Sequence, residues 1–145
     1  MVICKKCKLL QLEHNFDANE MYGDNYGYMS SLNKSMISHL KIKALNLKNK
    51  YNLKSKDFIL DIGSNDGTFL SFFNNSFKLF GCDPTIKKFS KLYRKDINQL
   101  SFFFSSKHFE VKKFNLITSI SMFYDLPNPL DFALEIHSIL HNKGI

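Results

Sequence analysis

The sequence predicts an α/β fold with a parallel, doubly wound sheet, on two observations. An apolar segment from Phe58 to Ile62 runs into a turn that contains two glycines, and apolar segments then alternate with helical ones towards the C-terminus. Continuous apolar runs with β-branched residues are typical of strands buried on both faces of a parallel sheet. Strands that alternate with helices are typical of this fold class. With 145 residues, the chain has room for one such domain.

The region before the sheet predicts one long helix, from Ser31 to Tyr51. Its apolar residues recur at spacings of four, four and three: Met36, Leu40, Ala44 and Leu47. A stripe of this kind marks the face that a helix buries. A serine side chain can accept hydrogen bonds from the first free amides of a helix, so Ser30 or Ser31 is expected to cap this one.

The sheet region predicts four strands and three helices. Four apolar runs are the strands: Phe58 to Ile62, Lys78 to Cys82, Leu100 to Phe104, and Phe114 to Ile120. The helices are one that begins at Thr68, one from Pro84 to Tyr93, and one from Pro129 to Leu140. In such folds, ligands bind at the carboxyl ends of the strands. Gly63, Asp83 and Ser121 all fall at those ends.

The turn after the first predicted strand is typical of a loop that holds a nucleotide cofactor. Gly63 and Gly67 allow a tight bend close to a ligand, but the G-x-G-x-x-G fingerprint of dinucleotide sites is absent. The carboxylates of Asp61 and Asp66 would repel a pyrophosphate and would suit a cation such as S-adenosylmethionine. Asp83 lies twenty residues after Gly63, the spacing of an acid that accepts ribose hydroxyls. Alternatively, Asp61 and Asp66 only cap the turn.

Five motifs, in their order along the chain, resemble the methyltransferases that put a carbon-bound methyl group on nucleotide-linked deoxysugars. They are Cys4-Lys-Lys-Cys7, Tyr26-Gly-Tyr28, Asp61-Ile-Gly-Ser-Asn-Asp-Gly67, Gly81-Cys-Asp-Pro84 and Ser121-Met-Phe-Tyr-Asp-Leu-Pro127. The resemblance implies a Rossmann-like class I methyltransferase sheet, S-adenosylmethionine as the cofactor and a nucleotide-linked keto-deoxysugar as the substrate. It also implies ten cofactor-binding residues: Asp61, Gly63, Ser64, Asn65, Asp66, Gly67, Asp83, Pro84, Ser121 and Met122.

Methylation of a carbon beside a sugar ketone needs a general base that removes the proton α to the carbonyl. In the family resembled, this base belongs to a His and Glu cluster downstream of Ile145, so the catalytic residue is left unassigned. Tyr124 and Tyr28 are expected to orient a substrate oxygen. Tyr26 is expected to line the pocket with Tyr28, and simple packing of these rings over the domain is the alternative. Asp125 is expected to cap the turn that follows it.

Cys4 and Cys7 form half of a zinc knuckle, in which two thiolates of a tight turn cover one side of a tetrahedral ion. A closed site needs two more ligands, and His14 is the only histidine nearby. Because the family resembled carries another cysteine pair upstream, zinc is expected in an intact parent protein, with a reduced dithiol as the alternative for this chain. Three cysteines cannot all pair, which argues against a disulfide framework.

The motifs divide the chain into three parts. Residues 1–28 are a remnant of a zinc-binding or substrate-binding segment, 29–55 a connecting helix, and 56–145 a partial S-adenosylmethionine-binding domain. The turn at 142–145 should lead into a fifth strand, so we expect a fragment that is truncated at both ends and inactive alone. Its unfinished sheet edge is expected to favour association. Asn115 stands where many methyltransferases have Asp and is expected to affect hydrogen bonding at the strand edge.

The charge and hydropathy patterns argue against a nucleic-acid partner and a membrane partner. The net charge is +7, but only Arg94 among the 20 basic residues is an arginine, the residue that makes bidentate contacts to guanine and phosphate. A nucleic-acid partner is therefore disfavoured. Methylation of a different acceptor, either another small molecule or RNA, stays an alternative function. A non-catalytic module that binds zinc or the cofactor is a third interpretation. No apolar run reaches the roughly 18 residues that span a membrane, and no signal segment is evident, so a cytoplasmic protein without a membrane partner is expected.

Overall fold

The computed structural model describes residues 1–14, 16–23, 25–109 and 113–145. Its strands are β1 (Val2–Ile3), β2 (Leu10–Gln11), β3 (Phe58–Ile62), β4 (Lys78–Cys82), β5 (Ile97–Leu100) and β6 (Leu116–Ser119). Its α-helices are α1 (Ala18–Tyr22), α2 (Lys34–Lys50), α3 (Thr68–Ser71), α4 (Ile86–Phe89) and α5 (Pro129–Ile139). The bounds of β3 and β4 are those that the sequence predicts.

Strands β3 to β6 form one parallel sheet in the order β5-β4-β3-β6, and β1 and β2 form a separate antiparallel pair. The central strand is β3, in which Leu60 lies opposite Phe80 of β4 and Ile117 of β6. The predicted α/β class with a parallel sheet is confirmed. Because the strands are parallel, the residues that follow β3, β4 and β6 meet at one edge of the sheet.

The core lies on both faces of this sheet. Ile59 of β3 belongs to a cluster that includes Leu40 and Ala44 of α2, whereas its neighbour Leu60 belongs to a second cluster that includes Ile139 of α5. Successive side chains of a strand point to opposite faces, so a strand with both faces covered reads as a continuous apolar run. Leu60 and Ile59 are both fully buried, which explains the apolar pattern of β3.

The start of α2 differs from the prediction. The cap is Asn33, whose Oδ1 accepts hydrogen bonds from Ser35 N at 2.9 Å and Met36 N at 3.4 Å. Ser30 and Ser31 lie in a separate 3-10 helix, Ser30–Leu32. Their backbone amides donate to side chains of the glycine loop, at 3.0 and 2.8 Å, so this stretch follows the loop and does not extend α2.

Two predicted elements after β4 also need correction. The predicted strand Leu100 to Phe104 is wrong, because β5 covers Ile97–Leu100, and Phe102 and Phe104 pack against the second core cluster from an irregular segment. The predicted helix Pro84 to Tyr93 is split into α4 and a 3-10 helix, Ser90–Leu92. In the first case the apolar residues reach the core without the predicted strand, whereas in the second Ile86 and Phe89 are buried within the shorter helix α4.

The edge of β6 is organised by Asn115. The side-chain oxygen Oδ1 of Asn115 accepts a hydrogen bond from Phe58 N at 2.9 Å. The backbone N of Asn115 donates to Phe58 O at 2.8 Å, and the two bonds extend the pairing of β3 with β6. The predicted role of Asn115 in strand-edge hydrogen bonding is confirmed. On the outer side of β6, Ile117 N donates to Ile145 O at 2.8 Å. Among the described residues, no helix combines the length and apolarity needed to cross a bilayer.

Candidate functional site

A cavity of about 390 Å³ lies at the carboxyl ends of β3, β4 and β6, within the roughly 300–1,000 Å³ usual for ligand sites. Its wall is made by the strand ends, by the N-terminal segment and by apolar residues that follow β5 and β6. All but two of the predicted cofactor-binding residues line it: Asp61, Gly63, Ser64, Asn65, Asp83, Pro84, Ser121 and Met122. Tyr26 and Tyr28 line it as well, whereas Asp66 and Gly67 do not.

The glycine loop requires left-handed backbone at both of its glycines. Gly63 has φ of 74° and Gly67 has φ of 77°, a region that side chains with a Cβ rarely adopt. A Cβ on Gly67 would lie 2.8 Å from two ring carbons of Tyr93. Tyr93 is buried beneath the loop, and its hydroxyl donates to Asn65 O at 2.9 Å and bonds Ser64 Oγ at 2.8 Å. The loop shape therefore depends on the absence of a side chain at Gly67.

Replacing Gly67 by alanine is expected to lower the free energy of unfolding by about 3 kcal/mol, from left-handed backbone strain and overpacking against Tyr93. Urea denaturation followed by circular dichroism measures this. The matched control is Gly27→Ala, because a Cβ there meets nothing within 4 Å, and a change under about 0.5 kcal/mol is expected. A Gly67 variant as stable as the control would refute the packing argument.

Asp61 closes the bottom of the cavity at the end of β3. Its side chain is 3% exposed, and its Oδ1 accepts a hydrogen bond from Thr118 Oγ1 of β6 at 2.7 Å. Burial raises the pKa of this carboxyl to about 7, the Thr118 bond acts against that rise, and the charge of Asp83 adds to it. A buried carboxylate is costly unless a cation or donors offset its desolvation, so this position favours a cationic ligand.

Asp83 follows β4 and is held in one orientation. Its Oδ1 accepts hydrogen bonds from Thr85 N at 2.7 Å and Thr85 Oγ1 at 2.5 Å, and its Oδ2 accepts from Asn65 N at 2.9 Å. A carboxylate oxygen can accept two hydrogen bonds, which leaves Oδ2 able to accept another from a ligand hydroxyl. Asp83 is therefore both a ligand-facing acceptor and an anchor of the glycine loop.

Asp66 has the turn-capping role that the sequence left open as the alternative. Its Oδ1 accepts from Thr68 N at 3.1 Å and Thr68 Oγ1 at 2.6 Å, at the start of α3. Its Oδ2 accepts from Ser31 N at 2.8 Å. Asp66 is 1% exposed and lies outside the cavity lining. It joins the loop to the N-terminal segment, and of the two acids in the turn only Asp61 faces the cavity.

Three tyrosines form the N-terminal wall of the cavity. The ring of Tyr26 lies 5.3 Å from that of Tyr22 and 6.5 Å from that of Tyr28, measured between centroids. The Tyr22 hydroxyl donates to Asp125 Oδ2, so this acid bonds across the cavity mouth and does not cap the turn after it. Burial and then this bond raise the pKa of Tyr22, and burial and then Asp83 raise the pKa of Tyr26. Both phenols stay protonated as donors.

The structure separates the two tyrosines that the sequence assigns to substrate orientation. Tyr28 lines the cavity, whereas Tyr124 lies in a 3-10 helix, Phe123–Asp125, is 76% exposed and is not part of the lining. Sequence reasoning missed Tyr22 and the buried Tyr93. Neither belongs to a motif with a characteristic spacing: Tyr22 packs beside Tyr26, and Tyr93 contacts the glycine loop from the 3-10 helix end after α4.

Cys4 and Cys7 lie in a turn between β1 and β2, where Cys7 N donates to Cys4 Sγ at 3.5 Å. That backbone bond is the main cause that lowers the pKa of the Cys4 thiol. Within the described part of the chain, no group of three or more His, Cys, Asp or Glu residues could hold a metal ion. His14 instead lies 4.0 Å from Glu13. The cysteine pair thus provides two ligands of the four that a closed zinc site needs.

Comparison with known proteins adds family and fold. Residues 35–145 match a family described as Methyltransferase domain. Over 85 residues the chain is 28% identical to the C-methyltransferase NovU of Streptomyces niveus, a match that covers 58% of this chain and 20% of that protein.

Two crystal structures are similar at TM-scores of 0.62. One is the plantazolicin methyltransferase BpumL in complex with a triazolic desmethylPZN analog and SAH, at 22% identity over 78% of this chain and 46% of that one. The other is a putative S-adenosylmethionine-dependent methyltransferase of Methanococcus maripaludis, at 18% identity over 79% and 57%. The chain spans about half of these proteins and a fifth of the curated relative. The likeness confirms the predicted Rossmann-like class I fold.

Proposed function

This chain belongs to the methyltransferase-domain family, and on that premise we propose that it binds S-adenosylmethionine for methyl transfer. The observation that carries the proposal is the pair of buried carboxylates, Asp61 and Asp83, at neighbouring strand ends of one cavity. S-adenosylmethionine has two cationic groups and an adenosine ribose. A cation suits the buried Asp61, and a ribose hydroxyl suits Oδ2 of Asp83.

The residues around these acids fit the same cofactor. Gly63 has left-handed backbone, and a Cβ there would lie 3.0 Å from Met122 Cγ, so this position of the lining favours a residue without a side chain. Apolar side chains such as Leu40 and Phe69 complete the lining and exclude water. When bound, S-adenosylmethionine supplies a methyl group on sulfur for in-line displacement by an aligned nucleophile.

We propose a nucleotide-linked keto-deoxysugar as the acceptor, with methylation at carbon. The supporting observations are the ordered sequence motifs and the similarity to a C-methyltransferase. The described lining contains neither Lys nor Arg, so the sugar would enter the cavity while its diphosphate stays outside, and Tyr28 would orient a sugar oxygen. The same described lining has neither His nor Glu to act as the base, so we expect this chain to bind without turnover.

Calorimetric titration with S-adenosylmethionine tests the cofactor, and saturable one-site binding is expected. Amide NMR shifts of the chain loaded with SAH then test the acceptor. A nucleotide-linked keto-deoxysugar is expected to shift the signals of Tyr26 and Tyr28, and an RNA is not. Folded protein that binds no S-adenosylmethionine contradicts the proposal as a whole. Shifts caused by RNA but not by the sugar contradict the substrate class.

Zinc binding by Cys4 and Cys7 and a cytoplasmic location stay predictions.

A further inference from the structure

The segment that carries Tyr26 and Tyr28 is held by hydrogen bonds and not by burial. None of residues 26–31, which we name the wall segment, is buried. Asn65 Nδ2 donates to Tyr28 O at 3.0 Å, and Asn65 Oδ1 accepts from Ser30 N at 3.0 Å. Ser31 N donates to Asp66 at 2.8 Å. Lys88 Nζ of α4 also donates to Tyr26 O at 2.9 Å. Segments with few buried contacts open locally at low free energy, so the position of this segment depends on these hydrogen bonds, most of which come from the glycine loop.

Asn65 connects the wall segment to the proposed cofactor site. Its backbone is left-handed, with φ of 52°, and its backbone N donates to Asp83 Oδ2 at 2.9 Å. Its carbonyl accepts from the buried Tyr93 hydroxyl at 2.9 Å. Hydrogen bonds to Asp83 and Tyr93 thus fix the backbone of Asn65. Its side chain bonds the wall segment at two points, Tyr28 O and Ser30 N. A ligand that contacts Asp83 acts on the same residue that holds the wall segment.

We propose that Asn65 is a positioning residue that couples cofactor binding at Asp83 to the ordering of the wall segment. This inference rests on the proposed function and adds an order to it: cofactor binding stabilises the tyrosine wall against which the acceptor then lies. A ligand bound to Asp83 Oδ2 restricts the carboxylate that anchors Asn65 N, and this stabilises the existing hydrogen bonds from the Asn65 side chain to Tyr28 and Ser30. A second ligand that needs an ordered wall therefore meets a lower entropic cost.

Amide hydrogen exchange by NMR, with and without S-adenosylmethionine, tests the coupling on the 145-residue chain. The Ser31 amide is the reporter, because its bond goes to Asp66 and survives changes at Asn65. In the wild type, the ligand is expected to slow its exchange about tenfold. For Asn65→Gly, which keeps the left-handed backbone, exchange is measured at saturating S-adenosylmethionine, and the bound ligand is expected not to slow it.

Asn52→Gly is the matched control, because Asn52 also has a positive φ, 51°, and lies outside the cavity lining. It is expected to retain the slowing. If Asn65→Gly does not fold, Asn65→Asp replaces it, since the carboxylate loses the donor to Tyr28 O and is also expected to lose the slowing. Wild-type protein that does not bind S-adenosylmethionine overturns the proposed function and this inference with it. Binding without slowing in the wild type, or slowing retained without the Asn65 amide, overturns the coupling alone.

Discussion

Replacing Asp83 by asparagine is expected to weaken S-adenosylmethionine binding roughly a hundredfold while the chain stays folded. The substitution removes a charged acceptor at Oδ2. In the wild type, Asn65 N donates to Oδ2 of Asp83 at 2.9 Å. If the amide nitrogen of the new asparagine takes the place of Oδ2, two donors face each other and this hydrogen bond is lost. In that orientation both the ligand contact and the loop anchor are lost, and in the other the charge at the ligand contact is lost, so the expected effect is large. Calorimetry gives the affinity, and circular dichroism gives the melting temperature.

A control separates the carboxylate from its surroundings. Thr85→Val removes the 2.5 Å bond from Thr85 Oγ1 to Asp83 but keeps the carboxylate, its bond from Thr85 N and its bond from Asn65. We expect its affinity to stay within about tenfold of the wild type. Equal affinities of the Asp83→Asn variant and the wild type would falsify the assignment of Asp83 to the ligand.

Replacing Asp61 by asparagine is expected to weaken S-adenosylmethionine binding at least about tenfold at neutral pH and to remove its pH dependence. In the wild type, burial raises the pKa of Asp61 to about 7, so the carboxyl takes up a proton as the pH falls below neutrality. The neutral form attracts a cation less, and affinity should fall from about pH 8 to about pH 6. Asparagine keeps an oxygen for the Thr118 bond but has no charge to lose.

The same substitution is expected to change stability in the opposite direction. The folded-state pKa of Asp61, about 7, lies above the ordinary value of 3.8 for an unfolded chain. The stabilisation that the neutral carboxyl contributes is therefore fully present below pH 3.8 and is lost as the pH rises through about 7. Above that window, the ligand-free variant should be more stable than the wild type, by on the order of 4 kcal/mol.

Calorimetric titrations and urea denaturation at several pH values measure both effects of the Asp61 change. The matched control is Asp131→Asn, because Asp131 is an exposed aspartate at the start of α5, outside the cavity lining. It should keep the wild-type affinity and its pH trend. If the Asp61 variant binds as tightly as the wild type across the range, the cation-binding role of this carboxylate is wrong.

The parts of the fold that could be predicted are those in which local pattern and burial agree. Both β3 and β4 are covered on two faces, so their apolar runs end where the strands end. At β5 the pattern misleads, because Phe102 and Phe104 supply core contacts from an irregular segment. The start of α2 misleads for a related reason. Ser30 and Ser31 have the composition of helix caps, but their amides bond a loop far away in sequence.

The residues of the site also fall into those that the sequence could predict and those that it could not. Asp61, Gly63 and Asp83 could be placed together because parallel strands bring their carboxyl ends to one edge. The distinction between Asp61, which faces the cavity, and Asp66, which caps α3, depends on the direction of each side chain, and spacing does not supply it. Tyr93 could not be found from the sequence, because its role follows from a hydrogen bond to Asn65 and from contact with Gly67.

The sheet order has a consequence for how the chain folds. The central strand β3 pairs on one side with β4, the next strand along the chain, and on the other with β6, the last strand among the described residues. Closing the shorter loop costs less entropy, so the unit formed by β3, α3 and β4 is expected to form early, with β6 added later. During synthesis, the part of the sheet that positions Asp61 and Asp83 can therefore assemble while β6 is still being made.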